Sequence, residues 1–260
     1  MKDNTYMSYA EKKALFDRML TLYGRKPVHE ALLLPEISPY RLHLAESNKL
    51  GGIVQTISEL AKTRGVEIQY HSRQALSRIS KNSKQDQGVV LDIEAPGYQP
   101  IDVLSPAQNQ EFIALENVTN PQNVGMTIRT VGASPCAGLI LPKKGNANID
   151  ALVIKASAGT ALKVPIYHCS EAISGLKRLK DSGFTIVGLS SYGEKPLNEF
   201  KPSTGTIFVL GNETKGLSKE MLSLCDVLVQ IPLNHDVESL NVSITAGILA
   251  FRSIFQTPYS

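Results

Sequence analysis

The stretch TIFVLGNETKGLS, residues 206–218, indicates the fold more clearly than any other part of the chain. It begins as a short apolar run rich in β-forming residues, ends that run at Gly211, and continues into a polar turn with a second glycine, Gly216. Similar apolar runs occur elsewhere in the sequence: FIALE (112–116), GLILP (138–142), TIVGLS (185–190) and VLVQIP (227–232). Because such strands alternate with helical stretches, the sequence predicts an α/β fold with a parallel sheet covered on both faces.

The residues before this region predict a second, smaller unit. Residues 23–95 alternate between helical and strand patterns, as a compact α/β domain does. Residues 8–22 carry apolar side chains at helical spacing and predict an amphipathic helix. Prolines and a lack of periodicity mark the boundary between the two units. The predicted division is an N-terminal helical extension (1–20), a small α/β domain (21–96), a linker (97–110) and a large α/β domain (111–260).

The composition limits the cellular compartment and the kinds of partner of this protein, but it does not indicate a function. The 260 residues include 27 basic and 24 acidic side chains, a net charge of +3, which fits an RNA partner but also many proteins without one. The three cysteines are far apart, which argues against a disulfide framework or a zinc site and favours a reducing compartment. The N-terminus lacks a signal-peptide pattern, and no apolar run approaches the roughly 18 residues of a membrane span. We therefore expect a cytoplasmic protein that does not enter a membrane.

A polar turn at the end of the FIALE strand is the first candidate site. Asn123 is predicted to cap a helix that begins near Val124, and the free amides at such a helix start can hold an anion such as phosphate. Arg129, six residues later, is expected near the carboxyl edge of the sheet, where open α/β sheets bind ligands. The alternative is a capped surface helix with a solvated arginine.

Two further turns complete the set. In the 206–218 stretch, Gly211 lets a ligand approach the backbone closely, but the spacing is neither a P-loop nor a dinucleotide-binding fingerprint. After Ile231-Pro232-Leu233, a polar loop leads through Ser239-Leu240-Asn241 into a long apolar helix, and Ser239 is predicted as the helix cap. The alternatives are an ordinary strand-to-helix turn and capping without a ligand. The polar residues His235, Asp236 and Glu238 lack metal-ligand spacing and are predicted to form a solvated loop.

Taken together, these turns resemble the three motifs of the SpoU (TrmH) branch of the SPOUT RNA methyltransferases. The motifs are Asn-x-Gly-x-x-x-Arg-Thr at 123–130, Leu-Gly-Asn-Glu-x-x-Gly-Leu at 210–217, and Ile-Pro-Leu followed by Glu-Ser-Leu-Asn-Val-Ser within 231–243. The resemblance spans residues 110–257. The small domain also resembles the substrate-binding domain of ribosomal-RNA guanosine methyltransferases of the RlmB subfamily, through Tyr23-Gly24, Glu30-Ala31-Leu32 and Gln87-Gly88-Val89. Relatives often have His where this chain has Asp86, and residues 1–20 extend beyond the usual start.

The resemblance implies a chemistry, a topology and a set of site residues. It implies methyl transfer from S-adenosylmethionine to a ribose 2′-hydroxyl of RNA, a deep trefoil knot in the parallel sheet, a homodimer that holds RNA across both chains, and no metal. The implied catalytic residues are Asn123, Arg129, Glu213, Ser239 and Asn241. The implied cofactor-binding residues are Leu210, Gly211, Asn212, Ile231, Leu233, Leu240 and Asn241. The implied RNA-binding residues are Arg25, Lys26 and Arg129.

The identity of the RNA is a separate question. The small domain favours ribosomal RNA, most specifically a guanosine of 23S RNA, because the small tRNA-specific relatives generally lack such a domain. Transfer RNA is the alternative substrate. A third possibility is an RNA-binding protein with this fold and no activity, which would predict broken motifs, whereas the motifs here are intact. The apolar C-terminal helix is long enough to contribute to a dimer interface, but it is equally suited to a buried core.

Overall fold

A four-stranded sheet forms the first third of the chain. The computed structural model describes residue 15 and residues 19–35, 37–49, 51–81, 83–95, 97–202, 205–235 and 237–256. The strands are β1 (Met19–Tyr23), β2 (Ser38–Ala45), β3 (Glu67–His71) and β4 (Val89–Glu94), in the order β1-β4-β2-β3. Strands β2 and β3 are parallel, and β4 is antiparallel to both of its neighbours.

Three helices cover this sheet, each beginning shortly after a strand ends. They are α1 (Arg25–Leu33), α2 (Gly52–Thr63) and α3 (Arg73–Ser80). Alternation along the strands separates the two faces, since successive side chains point to opposite sides. Leu42 and Leu44 share a core with the buried residues of α1 and α2, whereas Leu76 of α3 packs on Ala45 and Val90.

An eight-stranded, fully parallel sheet forms the rest of the fold. Its strands are β5 (Tyr98–Pro100), β6 (Glu111–Leu115), β7 (Gly138–Ile140), β8 (Ile166–His168), β9 (Thr185–Leu189), β10 (Lys195–Pro196), β11 (Thr206–Leu210) and β12 (Val227–Gln230). The order across the sheet is β10-β12-β9-β11-β6-β7-β8-β5, and every pairing is parallel. The predicted α/β class with a parallel sheet is confirmed.

Helices lie on both faces of this sheet, as predicted. They are α4 (Pro121–Gly132), α5 (Ala151–Ala156), α6 (Ala172–Asp181), α7 (Lys219–Leu224) and α8 (Val242–Gln256). In β11, Phe208 and Leu210 belong to the core shared with α4 and α8, whereas Ile207 and Val209 belong to the core shared with α6 and α7. The period-2 alternation of fully apolar strands therefore builds two cores from one sheet.

Two segments differ from the sequence prediction. The helix predicted over residues 8–22 is wrong at its end, because residues 19–22 belong to β1, where alternate side chains such as Leu20 and Leu22 are buried. Apart from Leu15, which is helical, the rest of that prediction lies outside the described residues. The segment predicted as a linker contributes β5, which pairs with β8 at the sheet edge. Three residues are too few for a periodic pattern, which is why the sequence did not reveal this strand.

Three buried or half-buried thiols pack in the interior. Cys136, Cys169 and Cys225 are all free, and desolvation by burial raises the pKa of each thiol to about 11. At neutral pH they are therefore protonated packing groups and not nucleophiles. Over the described residues, no helix is long and apolar enough to cross a membrane, and no group of three or more His, Cys, Asp or Glu side chains has a metal-binding arrangement.

Candidate active site

The turn after β11, residues 211–218, closes tightly on its own strand. The backbones of Asn212 and Gly216 exchange two hydrogen bonds, with N···O distances of 3.1 and 2.8 Å, and Asn212 Oδ1 accepts from the amides of Thr214 and Lys215. A Cβ atom at Gly211 would lie 2.3 Å from the carbonyl carbon of Gly216. Only glycine at 211 permits this approach, so the 211–218 turn is held in one shape.

A buried carboxylate at the end of β6 anchors the far side of this turn. Glu116 is only 4% exposed, and its two oxygens accept the hydroxyl of Ser218 at 2.6 Å and the backbone N–H of Ser218 at 2.9 Å. Ser218 in turn caps α7, since its Oγ accepts from the amide of Met221. In the sequence, Glu116 is predicted only as the last residue of a strand. The signal was available, because an acid directly after four apolar strand residues must find hydrogen-bond partners when buried.

Replacing Glu116 by glutamine is expected to destabilise the protein by about 2 kcal/mol, because the new amide group removes one acceptor and leaves a partly buried Ser218 donor facing the amide N–H groups without a partner. Urea unfolding followed by circular dichroism measures this change. Glu194, which is exposed, provides the matched control, and Glu194→Gln is expected to leave the midpoint unchanged. Equal midpoints for the two variants would show that Glu116 does not anchor the turn.

A chain of three side chains joins the 211–218 turn to two helices. The Asn123 amide donates to a carboxylate oxygen of Glu213, and the Asn241 amide donates to Asn123 Oδ1 at 3.1 Å. Asn241 Oδ1 accepts from the backbone N–H and the hydroxyl of Ser243, at 2.9 and 2.6 Å. Three predicted catalytic residues, taken from widely separated parts of the sequence, therefore form one hydrogen-bonded row, which we call the amide–carboxylate row (Asn241, Asn123 and Glu213).

Both predicted helix caps are displaced in the structure. Helix α4 begins at Pro121, and its cap is Asn120, whose side chain accepts from the amide of Gln122 at 2.9 Å. Proline favours the first helical position, which moves the cap upstream and leaves the Asn123 side chain available for Glu213. At α8 the capping side chain is Asn241, not Ser239, which is exposed.

Arg129 lies away from the amide–carboxylate row of its own chain. Its side chain is exposed and makes neither a hydrogen bond nor an ion pair with any described residue. Six residues of α-helix separate it from Asn123 by about 9 Å along the axis and about 240° around it. The expectation that Arg129 lies near the carboxyl edge of the sheet is therefore wrong within a single chain.

A cleft of about 880 Å³ opens beside the row. Its walls are the 211–218 turn, the turn that follows β9, and residues on either side of position 236, namely 231, 233 and 237–240. The lining includes these predicted site residues: Leu210, Gly211, Asn212, Glu213, Ile231, Leu233, Ser239 and Leu240. Asn241, Asn123 and Arg129 do not line it, so Asn241 reaches the cleft only through its hydrogen bond to Asn123 and, beyond that, Glu213.

The predicted RNA-binding residues of the small domain lie at the start of α1. Arg25 is held by the carbonyl of Gln87, at 3.1 Å from Nε, and by Asn48 Oδ1, at 3.3 Å from Nη2, whereas Lys26 is exposed. Asp86, which stands where relatives often have His, is fully buried and accepts from the amide of Gly88 and the hydroxyl of Ser80. The Asp86 carboxylate therefore organises the loop that carries Gln87.

Comparison with known proteins identifies the family. A model described as the SpoU rRNA Methylase family matches residues 110–251, and a model described as RNA 2'-O ribose methyltransferase substrate binding matches residues 21–99. An uncharacterized tRNA/rRNA methyltransferase of Mycolicibacterium smegmatis is 32% identical over 238 residues, covering 90% of this chain and 75% of that protein. YacO of Bacillus subtilis, whose name refers to the TrmH family of tRNA/rRNA methyltransferases, is 30% identical over 82% of this chain and 86% of its own length. The chain belongs to the SpoU family of RNA methyltransferases.

Solved structures share the whole fold. An AdoMet-bound rRNA methyltransferase from Sinorhizobium meliloti superposes with a TM-score of 0.61 and 24% identity, covering 92% of this chain and 89% of that one. The SpoU methyltransferase AviRb from Streptomyces viridochromogenes, in complex with AdoMet, gives a TM-score of 0.59 and 21% identity, covering 96% and 95%. Both domains of this chain thus have counterparts within single known proteins.

Proposed function

We propose that this protein transfers a methyl group from S-adenosylmethionine to a ribose 2′-hydroxyl of RNA. The observation that carries the proposal is the cleft with the amide–carboxylate row at its side. The cleft volume of about 880 Å³ lies within the roughly 300–1,000 Å³ of small-molecule sites. The two structural neighbours that contain AdoMet support the choice of methyl donor.

The residues of the cleft suit an adenosine-containing group. Leu210, Ile231 and Leu240 offer apolar side chains for a flat base, and the backbone of Gly211 and Asn212 offers polar groups beside them. These residues, with Leu233, would hold S-adenosylmethionine, which supplies an electrophilic methyl group when bound. None of the steps assigned here to the protein requires a metal.

The chain's own residues then orient and polarise the hydroxyl. One Glu213 oxygen accepts from Asn123, and the other has no partner among the described residues, so it is available inside the cleft for the hydroxyl hydrogen. Asn241 fixes the orientation of Asn123 through its hydrogen bond. Ser239, which is exposed at the cleft, contacts the backbone of the RNA substrate. A guanidinium stays protonated at neutral pH, so Arg129 binds a target phosphate and stabilises developing charge and does not act as a base.

Arg129 is assigned to the site of a second copy of the chain. Helices α4 and α8 run side by side in the same direction, since Asn123 meets Asn241 at their starts and a Cβ at Gly247 would lie 3.7 Å from Thr130. At this level α4 exposes Met126 beside Arg129, and α8 exposes Ile244 and Ile248. An exposed apolar surface on a helix pair favours a partner, and we propose a homodimer through this helix pair that carries Arg129 to the partner's cleft.

Placing glutamate at both Ile244 and Ile248 is expected to convert the dimer into monomers, because each dimer would bury four unpaired carboxylates. Sedimentation velocity measures the mass directly. Leu33 is also exposed, at 55%, but lies on α1 in the small domain, and Leu33→Glu is the control that leaves the mass unchanged. A wild-type protein that sediments as a monomer would remove the dimer from the proposal.

For the RNA we propose ribosomal RNA, and within it a guanosine of 23S RNA as for the RlmB subfamily, gripped by Arg25 and Lys26. The substrate-binding model over residues 21–99 supports a dedicated RNA domain. The named relatives cover both tRNA and rRNA, so transfer RNA is the competing substrate. We also propose that the parallel sheet contains the trefoil knot that the resemblance implies, and that the domains have the limits predicted from the sequence.

The deciding experiment has two arms. Calorimetric titration with S-adenosylhomocysteine tests the cleft, and we expect binding by the wild type. Mapping of 2′-O-methylation across total RNA, with and without the gene, tests the reaction and its target. Loss of one methylated ribose in ribosomal RNA is the expected result. A loss confined to tRNA would change the substrate, and absence of both binding and methylation would leave a non-catalytic RNA-binding protein.

A further inference from the structure

We infer that Tyr192 is a stacking platform for an unpaired nucleobase of the RNA substrate; the inference rests on the proposed function and adds a residue that recognises the RNA. Tyr192 is 90% exposed, the largest exposure among the big apolar side chains of the described residues, and it lines the mouth of the cleft. It lies in the turn of residues 190–193, which follows β9.

The turn that carries this ring is rigid. Ser190 accepts twice, from the Tyr192 amide through Oγ at 3.2 Å and from the Gly193 amide through its carbonyl at 3.1 Å. Gly193 is buried, and a Cβ there would lie 2.3 Å from the carbonyl carbon of Val229 in β12. Ser190 N–H donates to the carbonyl of that same Val229 at 3.0 Å. The backbone is thus clamped to the neighbouring strand while the side chain projects into solvent.

An exposed ring on a rigid turn favours a role in ligand binding over a role in the stability of the fold. An exposed aromatic ring buries almost no apolar surface, so it contributes little to folding. The 211–218 turn also lines the cleft, and there Lys215 is exposed and its backbone amide is held by Asn212. An aromatic ring on a clamped turn and a cation therefore both line one cleft. A base stacks on an aromatic face while a cation pairs with phosphate, which is how proteins hold single-stranded RNA.

The ring suits RNA better than the methyl donor. A side chain that packs on a bound cofactor inside the cleft would be enclosed by cleft walls, whereas this ring is almost fully in solvent. Bases within an A-form duplex have both faces covered by neighbouring bases. The partner of Tyr192 is therefore an unpaired base, in a loop or extruded from a helix, next to the ribose that is methylated.

The test compares Tyr192→Ala with Tyr192→Phe in the full-length protein. The probes are end-labelled RNA from cells that lack the gene, measured by filter binding, and S-adenosylhomocysteine, measured by calorimetry. Tyr192→Ala is expected to weaken RNA binding about 10-fold, the effect of losing one stacked base. Tyr192→Phe keeps the ring and is expected to match the wild type, and neither change is expected to alter the affinity for S-adenosylhomocysteine.

Each other outcome overturns the inference. RNA affinity unchanged in Tyr192→Ala removes the stacking role. A parallel loss of S-adenosylhomocysteine affinity moves the ring to the cofactor, and a loss in Tyr192→Phe assigns the contact to the hydroxyl and not to the ring. A wild type that binds no S-adenosylhomocysteine would end the proposed function. RNA binding is measured without turnover, so the RNA affinities of the Tyr192 variants would still test the stacking role in that case.

Discussion

Replacement of Arg129 by alanine is expected to lower kcat for RNA methylation by about 100-fold or more, the loss seen when one preorganised group that stabilises developing charge is removed. The affinity for S-adenosylhomocysteine is expected to stay the same, because Arg129 does not line the cleft of its own chain and its proposed contact in the partner's cleft is with the RNA phosphate and not with the cofactor. Stability is also expected to be unchanged, since the side chain is exposed and has no partner among the described residues. Single-turnover methylation with labelled donor, calorimetry and thermal unfolding measure the three quantities.

The lysine variant separates charge from geometry. Lysine keeps the positive charge but lacks the planar fork that binds phosphate through two N–H groups, so Arg129→Lys is expected to retain partial activity. Wild-type turnover in the alanine variant would exclude Arg129 from the mechanism. A variant that fails to bind S-adenosylhomocysteine would place the arginine at the cofactor instead.

Two inactive chains are expected to restore activity when they share a dimer. A Glu213→Ala chain loses the carboxylate of its cleft, and an Arg129→Ala chain loses the cation that it supplies to its partner. In the mixed dimer one site combines an intact cleft with an intact arginine. Random pairing of equal amounts makes half the dimers mixed, so recovery to about a quarter of wild-type activity is expected for a two-fold dimer.

This recovery is measured after co-expression of the two chains with different affinity tags. Adding glutamate at Ile244 and Ile248 to both chains provides the control, because monomers cannot exchange an arginine. A mixture that stays inactive while mixed dimers are present would mean that Arg129 serves the cleft of its own chain. The experiment thus decides between the two assignments without knowledge of the target nucleotide.

The elements that the sequence predicted well are those with long, regular patterns. The strands β6, β9 and β11 each bury apolar residues on both faces, which leaves near-continuous apolar runs that are easy to recognise. Strands β5 and β10 have three and two residues, which is too short for a period-2 alternation to be recognised. They form because they pair with strands distant in sequence, so no local sequence pattern predicts them.

The candidate site was predictable in its members but not in its arrangement. The motif resemblance named Asn123, Glu213 and Asn241, which the structure joins in one row. The same motif places Arg129 only six residues from Asn123, yet helical rotation turns it to the outer surface. Two residues that are close in sequence can therefore point in different directions when they lie on one helix, because each residue of the helix turns the side chain by about 100°. The position of Glu116 directly after four apolar residues indicates that it needs hydrogen-bond partners, but its partner, Ser218, lies 102 residues away and could not be named from the sequence.

The two hydrogen-bonding ends of the Asn241 amide have a consequence for the order of assembly. Its oxygen caps the start of α8 by accepting from the amide of Ser243. Its nitrogen donates to Asn123, which lies 118 residues earlier in the chain, and so completes the amide–carboxylate row. Nucleation of that helix and completion of the row therefore depend on the same side chain. During synthesis from the N-terminus, a nascent chain that ends before residue 241 has its RNA-binding domain but no finished row, so we expect it to meet RNA before it is able to modify it.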